Sequence, residues 1–318
     1  MDSKLSEFFS HPIEAERNWE IVSKEQQCNY LSKKCLKIRK SLPHISLGTC
    51  TVKHGKEEKE IIICPHRLLQ DKKIFMDCLH LLSLHEPGNE LHIVPEISIP
   101  GGSVDYFVVS VKKGKVIDFI GIELQTMDTS GTVWNERQRF LHSKNVPVDE
   151  IDLSKKNFSI NWKMTAKTIL VQLHHKIETF ESLGKHLVLV SQDCLLEYMK
   201  RKFSFSDVGA AKIGNAMHFH SYNLDRQKDK TFKLELVERA STDSQGLAKC
   251  LGLKAEASLK LNELLLKIQT KIRACWEIGF RGKKCQFFDE TRRKIRSILP
   301  DVTNFPTQYH QKRGIFSP

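Results

Sequence analysis

Two stretches of the chain carry apolar residues at helical spacing, and each predicts an amphipathic helix. The first covers residues 67–87 and ends where Pro87 and Gly88 interrupt the pattern. The second covers residues 163–183, whose apolar side chains fall on one side, at Ile169, Leu170, Leu173, Ile177 and Phe180. Weaker patterns predict a helical lead-in and two further helices, at residues 1–27, 194–202 and 255–276.

Strands are predicted by runs of β-branched and aromatic residues, at residues 92–98, 104–111, 116–125, 186–191 and 232–237. The connector at residues 112–115 is short and contains Gly114, so the strands on either side of it predict a hairpin. Residues 126–159 show no clear period and predict a long functional loop. The order helix, strand, strand, strand, helix, strand predicts an α/β fold with a mixed sheet flanked by helices.

Composition indicates a folded, soluble protein. The chain has 318 residues, of which 40% are hydrophobic, enough to bury a sizeable core. No run approaches the roughly 18 apolar residues that a membrane helix needs, and the acidic N-terminus does not resemble a signal peptide. The nine cysteines are too few, and odd in number, for a secreted disulfide scaffold. We therefore expect a cytoplasmic protein with no membrane partner.

Positive charge favours a polyanionic partner such as DNA. The formal net charge is +12 and the pI is about 9.2. Residues 271–318 contain eleven Lys or Arg and four acidic residues, so this tail carries more than half of the surplus. A second basic cluster lies near the N-terminus, at Lys33, Lys34, Lys37, Arg39 and Lys40.

Two carboxylates and an amide are predicted to converge at one end of the hairpin. Glu123 and Gln125 lie two residues apart, so they share a face of their strand. Asp105 lies near the start of the preceding antiparallel strand, and therefore beside them. Oxygen ligands of this kind suit Mg²⁺, which can polarise a phosphodiester and assist an attacking water. The alternative is that Glu123 belongs to the solvent-facing side of an amphipathic strand.

Nearby features could complete such a site. The turn at residues 100–103 contains two glycines, which would let the backbone approach a phosphate closely. Glu90, just before the first predicted strand, and Glu96, within it, could supply an additional carboxylate.

Four cysteines fall within a short segment punctuated by Gly and Pro, at Cys28, Cys35, Cys50 and Cys64. Their concentration favours a metal site, although no Cys-x-x-Cys is present. Thiolates bind both Zn and Fe, and the spacing does not separate the two metals. The alternative is a set of small buried side chains, since unpaired cysteine is often buried.

The hairpin motif resembles the PD-(D/E)xK nuclease superfamily, which has an αβββαβ core. The strings here are GSVD and IELQ, so Gln125 stands where lysine is usual. This Glu-x-Gln variant, with GSVDYFVV and DFIGIELQTMDTSG, is similar to the NotI family of type II restriction endonucleases. The resemblance implies that Asp105, Glu123 and Gln125 are catalytic and that the two acids bind Mg²⁺. Because Gln125 is neutral, positive charge must come from elsewhere, with Lys163 and Lys167 on the following helix as candidates.

The cysteine segment is also similar to that family, through the strings CNYLSKKC, GTCTV and IICPHR. The resemblance implies that Cys28, Cys35, Cys50 and Cys64 form a tetrahedral structural site that holds iron, with zinc possible. A closed site of this kind would stiffen the segment that carries the basic cluster, which could then contact DNA.

The resemblance implies a homodimeric, prokaryotic restriction enzyme that cuts a palindromic site in double-stranded DNA. Three regions are expected: an N-terminal four-cysteine segment, a nuclease core, and a basic region for DNA contacts or dimerisation, at residues 1–66, 67–203 and 204–318. Two alternatives remain open at this point. One is a non-catalytic DNA-binding protein with a degenerate nuclease core, and the other is a repair nuclease without sequence specificity.

Overall fold

The fold was obtained as a computed structural model, which describes residues 3–148 and 158–253 together with Leu266, Gln269 and Thr270. The chain divides into two compact units, Met1–Lys254 and Ala255–Pro318. In the second unit, the three described residues are helical. Most of the helix predicted at residues 255–276, and the whole basic tail, lie outside the described residues.

The N-terminal part of the first unit is built from short strands and one helix: β1 (Leu5–Phe8), β2 (His11–Pro12), α1 (Trp19–Glu25), β3 (Gln27–Cys28), β4 (Lys33–Lys34), β5 (Ile38–Arg39), β6 (Leu42–Ser46), β7 (Thr49–His54) and β8 (Lys59–Ile62). Four of the strands form a sheet in the order β2-β1-β7-β8. The prediction of a helix throughout residues 1–27 was therefore wrong at its start. Strand β1 is fully buried and pairs with β7, a distant partner that overrides the local pattern. The helix begins only after Asn18, whose side chain accepts a hydrogen bond from the Ile21 N–H.

The remaining elements of this unit are α2 (Lys73–Cys78), β9 (Glu90–Ile99), β10 (Gly102–Lys112), β11 (Lys115–Gln125), β12 (Thr129–Ser130), α3 (Trp134–Ser143), β13 (Ser159–Ile160), α4 (Trp162–Ser182), β14 (His186–Gln192), α5 (Asp193–Lys202), β15 (Gly209–Ala210), β16 (Met217–Arg226), β17 (Phe232–Thr242) and α6 (Ser244–Cys250). Seven strands form a sheet in the order β15-β17-β16-β14-β11-β10-β9. Strand β14 runs parallel to both β11 and β16, and the other pairs are antiparallel. The predicted mixed α/β fold is confirmed.

Local patterns placed several elements well and missed others. The β10–β11 hairpin, α4 and β14 lie where they were predicted. The single helix predicted at residues 67–87 is instead α2 between two 3₁₀ segments, because Asp71 and Lys72 adopt positive φ and interrupt it. Helix α3 lies within the predicted loop, and β16 was not predicted. The sequence of β16 is MHFHSYNLDR, and it contains His218 and His220, which are buried. Because histidine is a polar residue, the pattern does not indicate a core strand.

The seven-stranded sheet is covered on both faces. On one face, α4 packs Leu173 and Ile177 into a core shared with Leu187 and Leu189 of β14. On the other face, Leu68 and Ile74 share a core with Ile120, Ile122 and Val188. Alternate residues of β11 and β14 thus serve opposite cores, as the two-residue period of a strand requires. Within the part of the chain that the structure describes, no helix is long and apolar enough to cross a membrane.

Candidate active site

The hairpin register brings Asp105 and Glu123 together. Tyr106 pairs with Ile122, which places the two acidic residues next to each other on neighbouring strands. The Asp105 carboxylate accepts a hydrogen bond of 2.8 Å from the backbone N–H of Leu124. Asp105 is exposed and Glu123 is buried, so the pair spans the boundary between solvent and core. The register thus places the two acidic residues at the same end of the hairpin.

Gln125 lies two residues beyond Glu123, at the end of β11. Its side-chain Nε2 donates to the backbone oxygen of Thr126 over 2.6 Å. This bond uses part of the donor capacity of the amide. Gln125 therefore contributes polarity to the site but no charge.

A lysine that the sequence did not single out contacts Glu123. Lys176 Nζ lies 2.6 Å from Glu123 Oε1, and each side chain is only 6% exposed. The same ammonium donates to the Ser103 carbonyl over 2.5 Å. The sequence pattern could have identified this lysine. Lys176 lies on the apolar face of α4, at helical spacing between Leu173 and Phe180. A charged residue on a buried helical face requires a partner, and Glu123 is that partner.

Glu123 has an unusual affinity for protons. Burial raises its pKa to about 7, although the hydrogen bond and positive charge of Lys176 act in the opposite direction. The nearby negative charge of Asp105 raises the pKa further. Near neutral pH, this carboxyl therefore exchanges between its charged and neutral forms, and a bound cation would favour the charged form.

The other lysine candidates lie apart from this contact. Lys163 and Lys167 are exposed on the first turns of α4, and Lys176 is the lysine of that helix bonded to Glu123. Lys176, and neither Lys163 nor Lys167, is thus the lysine of α4 that bonds to Glu123. The reason is that α4 crosses the hairpin with its C-terminal half, as the bond from Lys176 to the Ser103 carbonyl shows.

The two additional candidate carboxylates, Glu90 and Glu96, lie at different positions along β9. Glu96 lies opposite Asp105, between the paired residues Pro95 and Ile97, and adopts a positive φ of 45°. Glu90 pairs with Val111 at the far end of the sheet and bonds to His92. Glu96 therefore remains near the candidate site, whereas Glu90 is removed from it.

The glycine turn before Asp105 packs against α4. Gly101 has a φ of +93°, and a Cβ at this position would lie 2.0 Å from the His175 carbonyl oxygen. At Gly102, a Cβ would lie 3.1 Å from Cε of Lys176. The close approach that requires glycine here is to the helix, which explains how Lys176 reaches the Ser103 carbonyl.

The donor groups at this end of the hairpin fit a hard cation. Asp105 and Glu123 supply carboxylate oxygens, the ligands that Mg²⁺ prefers. In the ranges 3–148 and 158–253, no group of three or more His, Cys, Asp or Glu side chains is arranged to hold a metal. Any cation bound at this site would therefore depend on water or a substrate phosphate for its remaining ligands.

The four cysteines are buried, and none forms a disulfide. Burial raises the pKa of Cys64, and the nearby thiols of Cys35 and Cys28 act in the same direction. Burial also raises the pKa of Cys50, with a further contribution from Cys64. The four side chains thus share one neighbourhood, and soft sulfur donors buried there suit Fe or Zn. In the part of the chain that the structure describes, these thiols are not arranged as a group of three or more metal ligands.

Residues 23–234 match the family described as Restriction endonuclease NotI. The match includes the four cysteines, Asp105, Glu123, Gln125 and Lys176. No curated protein and no solved structure matches the chain.

The match defines the class of protein as a restriction endonuclease, and therefore a nuclease that acts on DNA. It covers about two thirds of the 318 residues, and the chain belongs to the NotI restriction endonuclease family.

Proposed function

We propose that the protein is a type II restriction endonuclease with a PD-(D/E)xK core, which hydrolyses DNA phosphodiesters with Mg²⁺ held by Asp105 and Glu123. The observation that carries the proposal is the adjacency of these two carboxylates at the end of the β10–β11 hairpin, inside the family match. A divalent cation bound there would polarise the phosphodiester and lower the pKa of an attacking water.

Asp105, Glu123 and Gln125 have different roles at this site. Asp105 is exposed and its carboxylate is fixed by the Leu124 N–H, so it presents oxygen toward solvent, where DNA arrives. Glu123 supplies the second carboxylate of the pair from the buried side. Gln125 orients a water or a phosphate oxygen by hydrogen bonding, because an amide offers both donors and an acceptor.

Lys176 supplies the positive charge that Gln125 lacks. Its ammonium holds Glu123 by a bond of 2.6 Å in a nearly solvent-free setting, where a charged hydrogen bond is strong. Because the same group is anchored to the Ser103 carbonyl, its position is fixed relative to Asp105, two residues further on. Lys176 therefore acts as a positioning residue for the metal-binding carboxylates.

The four cysteines hold a structural Fe or Zn ion in this proposal. The supporting observation is the burial of four reduced thiols, with Cys28 and Cys35 near enough to Cys64 to add to the effect of burial on its pKa. A metal at this place would compensate the negative charge of the thiolates and stabilise a segment composed of two-residue strands.

The enzyme acts as a homodimer on a palindromic site, since two-fold symmetry lets two identical active sites cut both strands. The basic residues 271–318 add phosphate contacts, which should make binding weaken steeply as salt concentration rises. A cytoplasmic location suits an enzyme whose substrate is DNA.

A plasmid digest with Mg²⁺ tests the proposal. Discrete fragments from the wild-type protein, together with loss of cleavage but retained DNA binding in Asp105→Asn, are the expected results. A matched control is Glu90→Gln, which removes an exposed carboxylate at the far end of the same sheet and should cut normally. A smear of products would indicate a nonspecific nuclease. Binding without cleavage in the wild type would indicate a DNA-binding protein, and an active Asp105→Asn protein would overturn the site assignment.

A further inference from the structure

A cavity adjoins the candidate active site where β11 ends against the four-cysteine segment. Its volume is about 430 Å³, and it is lined by Lys37, Ile63, Pro65, Leu124, Gln125 and four residues of the following loop, 126–129. Leu124 is the residue whose N–H binds Asp105, and Gln125 is the candidate catalytic amide. The cavity therefore borders the end of β11, the strand that also carries Glu123.

Lys37 brings positive charge into this cavity. It is half-buried, and its Nζ donates a hydrogen bond of 2.8 Å to the Ile63 carbonyl. An ammonium has three donors, and among the described residues this bond accounts for one of them. The side chain is thus anchored with donors left over, as a preformed binding group would be.

The charged and polar side chains that line the cavity indicate which kind of ligand it could bind. Lys37 and Asp128 are the charged residues of the wall, and Asp128 is exposed and bonded to the Thr165 hydroxyl. The cavity wall thus offers an ammonium and an amide, groups that both bind a phosphodiester oxygen. A nucleotide chain passing Asp105 would present such a phosphate one step from the bond that is cut.

We propose that Lys37 binds the DNA phosphate that neighbours the scissile one, and that the four-cysteine segment takes part in cleavage by delivering this lysine. The inference rests on the proposed nuclease function.

Neutral phosphates test the contact directly. A duplex that the wild-type protein cuts is prepared with a methylphosphonate at one phosphate at a time around the cleaved bond. The expected result is that one neighbouring position weakens wild-type binding by about tenfold or more, as loss of a charged hydrogen bond implies. Lys37→Ala should bind the unmodified duplex with a similar loss and show no further loss at that position.

Controls separate this contact from general charge. Lys56→Ala removes an exposed lysine from the same N-terminal sheet region, and should keep the full effect of the methylphosphonate. Lys37→Arg retains the charge and should recover part of the affinity. Metal content and thermal unfolding of each variant show whether the segment remains folded.

The results that would contradict the Lys37 contact differ from those that would contradict the nuclease function. If the wild type cuts DNA but Lys37→Ala responds to the methylphosphonate as Lys56→Ala does, the Lys37 contact is overturned while the nuclease function stands. If a methylphosphonate at each neighbouring position leaves wild-type binding unchanged, the proposed Lys37 contact is wrong, whatever the variants do. If the wild type neither cuts nor binds DNA, both proposals fall.

Discussion

The ammonium of Lys176 lies 2.6 Å from the Oε1 atom of Glu123, and the two side chains are almost excluded from solvent. One belongs to helix α4 and the other to strand β11, so the packing of helix on sheet fixes the position of a candidate metal ligand. Removing one partner of a buried pair leaves a charge without compensation, which is far more harmful than losing a surface ion pair.

We expect Lys176→Met to reduce the cleavage rate on the order of a hundredfold, comparable to removing a preorganised catalytic donor. Without the ammonium, the pKa of Glu123 should rise above about 7, so the carboxyl would be neutral at neutral pH. The pH profile of cleavage should therefore shift to higher pH, which a purely structural role would not produce. Lys167→Ala, at an exposed position of the same helix, is the control and should cut normally. An unshifted profile in Lys176→Met would contradict the positioning role.

Cation binding should depend on pH because Glu123 must lose its proton to act as a ligand. Its pKa is raised to about 7, chiefly by burial, so the proton competes with the cation below that pH. The Mg²⁺ concentration for half-maximal cleavage should rise as pH falls below 7, by about tenfold per pH unit if one proton is displaced. Titrating Mg²⁺ at several pH values measures this slope. A requirement that stays constant between pH 6 and pH 8 would exclude a titrating Glu123 from the cation site.

The same raised pKa has a consequence for stability of the metal-free protein. Folded Glu123 binds a proton more tightly than it does in the unfolded chain, so the folded state carries more protons between the ordinary glutamate pKa and about 7. The contribution of Glu123 to the free energy of unfolding should therefore fall as pH rises through this window. Glu123→Gln, which stays neutral, should remove that part of the slope in urea unfolding measured at several pH values.

The cysteine site predicts one Fe or Zn ion per chain in elemental analysis. Cys50→Ala should lose the metal and unfold at a lower temperature, since a structural metal contributes its binding free energy to folding. Cys78→Ala is a suitable comparison, because Cys78 is also buried and reduced but lies outside the cluster. Its metal content should match the wild type. Wild-type protein that is folded and free of metal would rule out the tetrathiolate.

Two glycines with similar backbone angles should respond differently to alanine. Gly101 and Gly114 have φ values of +93° and +74°, so both substitutions cost about 1 kcal/mol through the left-handed conformation. At Gly114 an added Cβ meets nothing within 4 Å, whereas at Gly101 it would collide with the His175 carbonyl. Gly101→Ala should lose a further 1–3 kcal/mol or so from overpacking. Equal losses in denaturant unfolding would show that α4 does not pack against this turn.

The sequence alone determined the hairpin and the acidic pair within it. A short connector with glycine joins two strongly β-forming runs, and antiparallel pairing then places Asp105 beside Glu123 without information from the rest of the chain. It also marked the cysteine segment and the long helix, because these signals are local in spacing or composition.

Tertiary structure alone decided what surrounds that pair. Lys176 is 53 positions from Glu123, and Lys37 comes from a separate sheet region, so no local pattern relates either lysine to the site. The same holds for β1, whose helical pattern was overridden by pairing with β7, and for β16, whose buried histidines hide a core strand. Local periodicity reports which side of an element is buried, but which residues meet there depends on how helix and sheet pack.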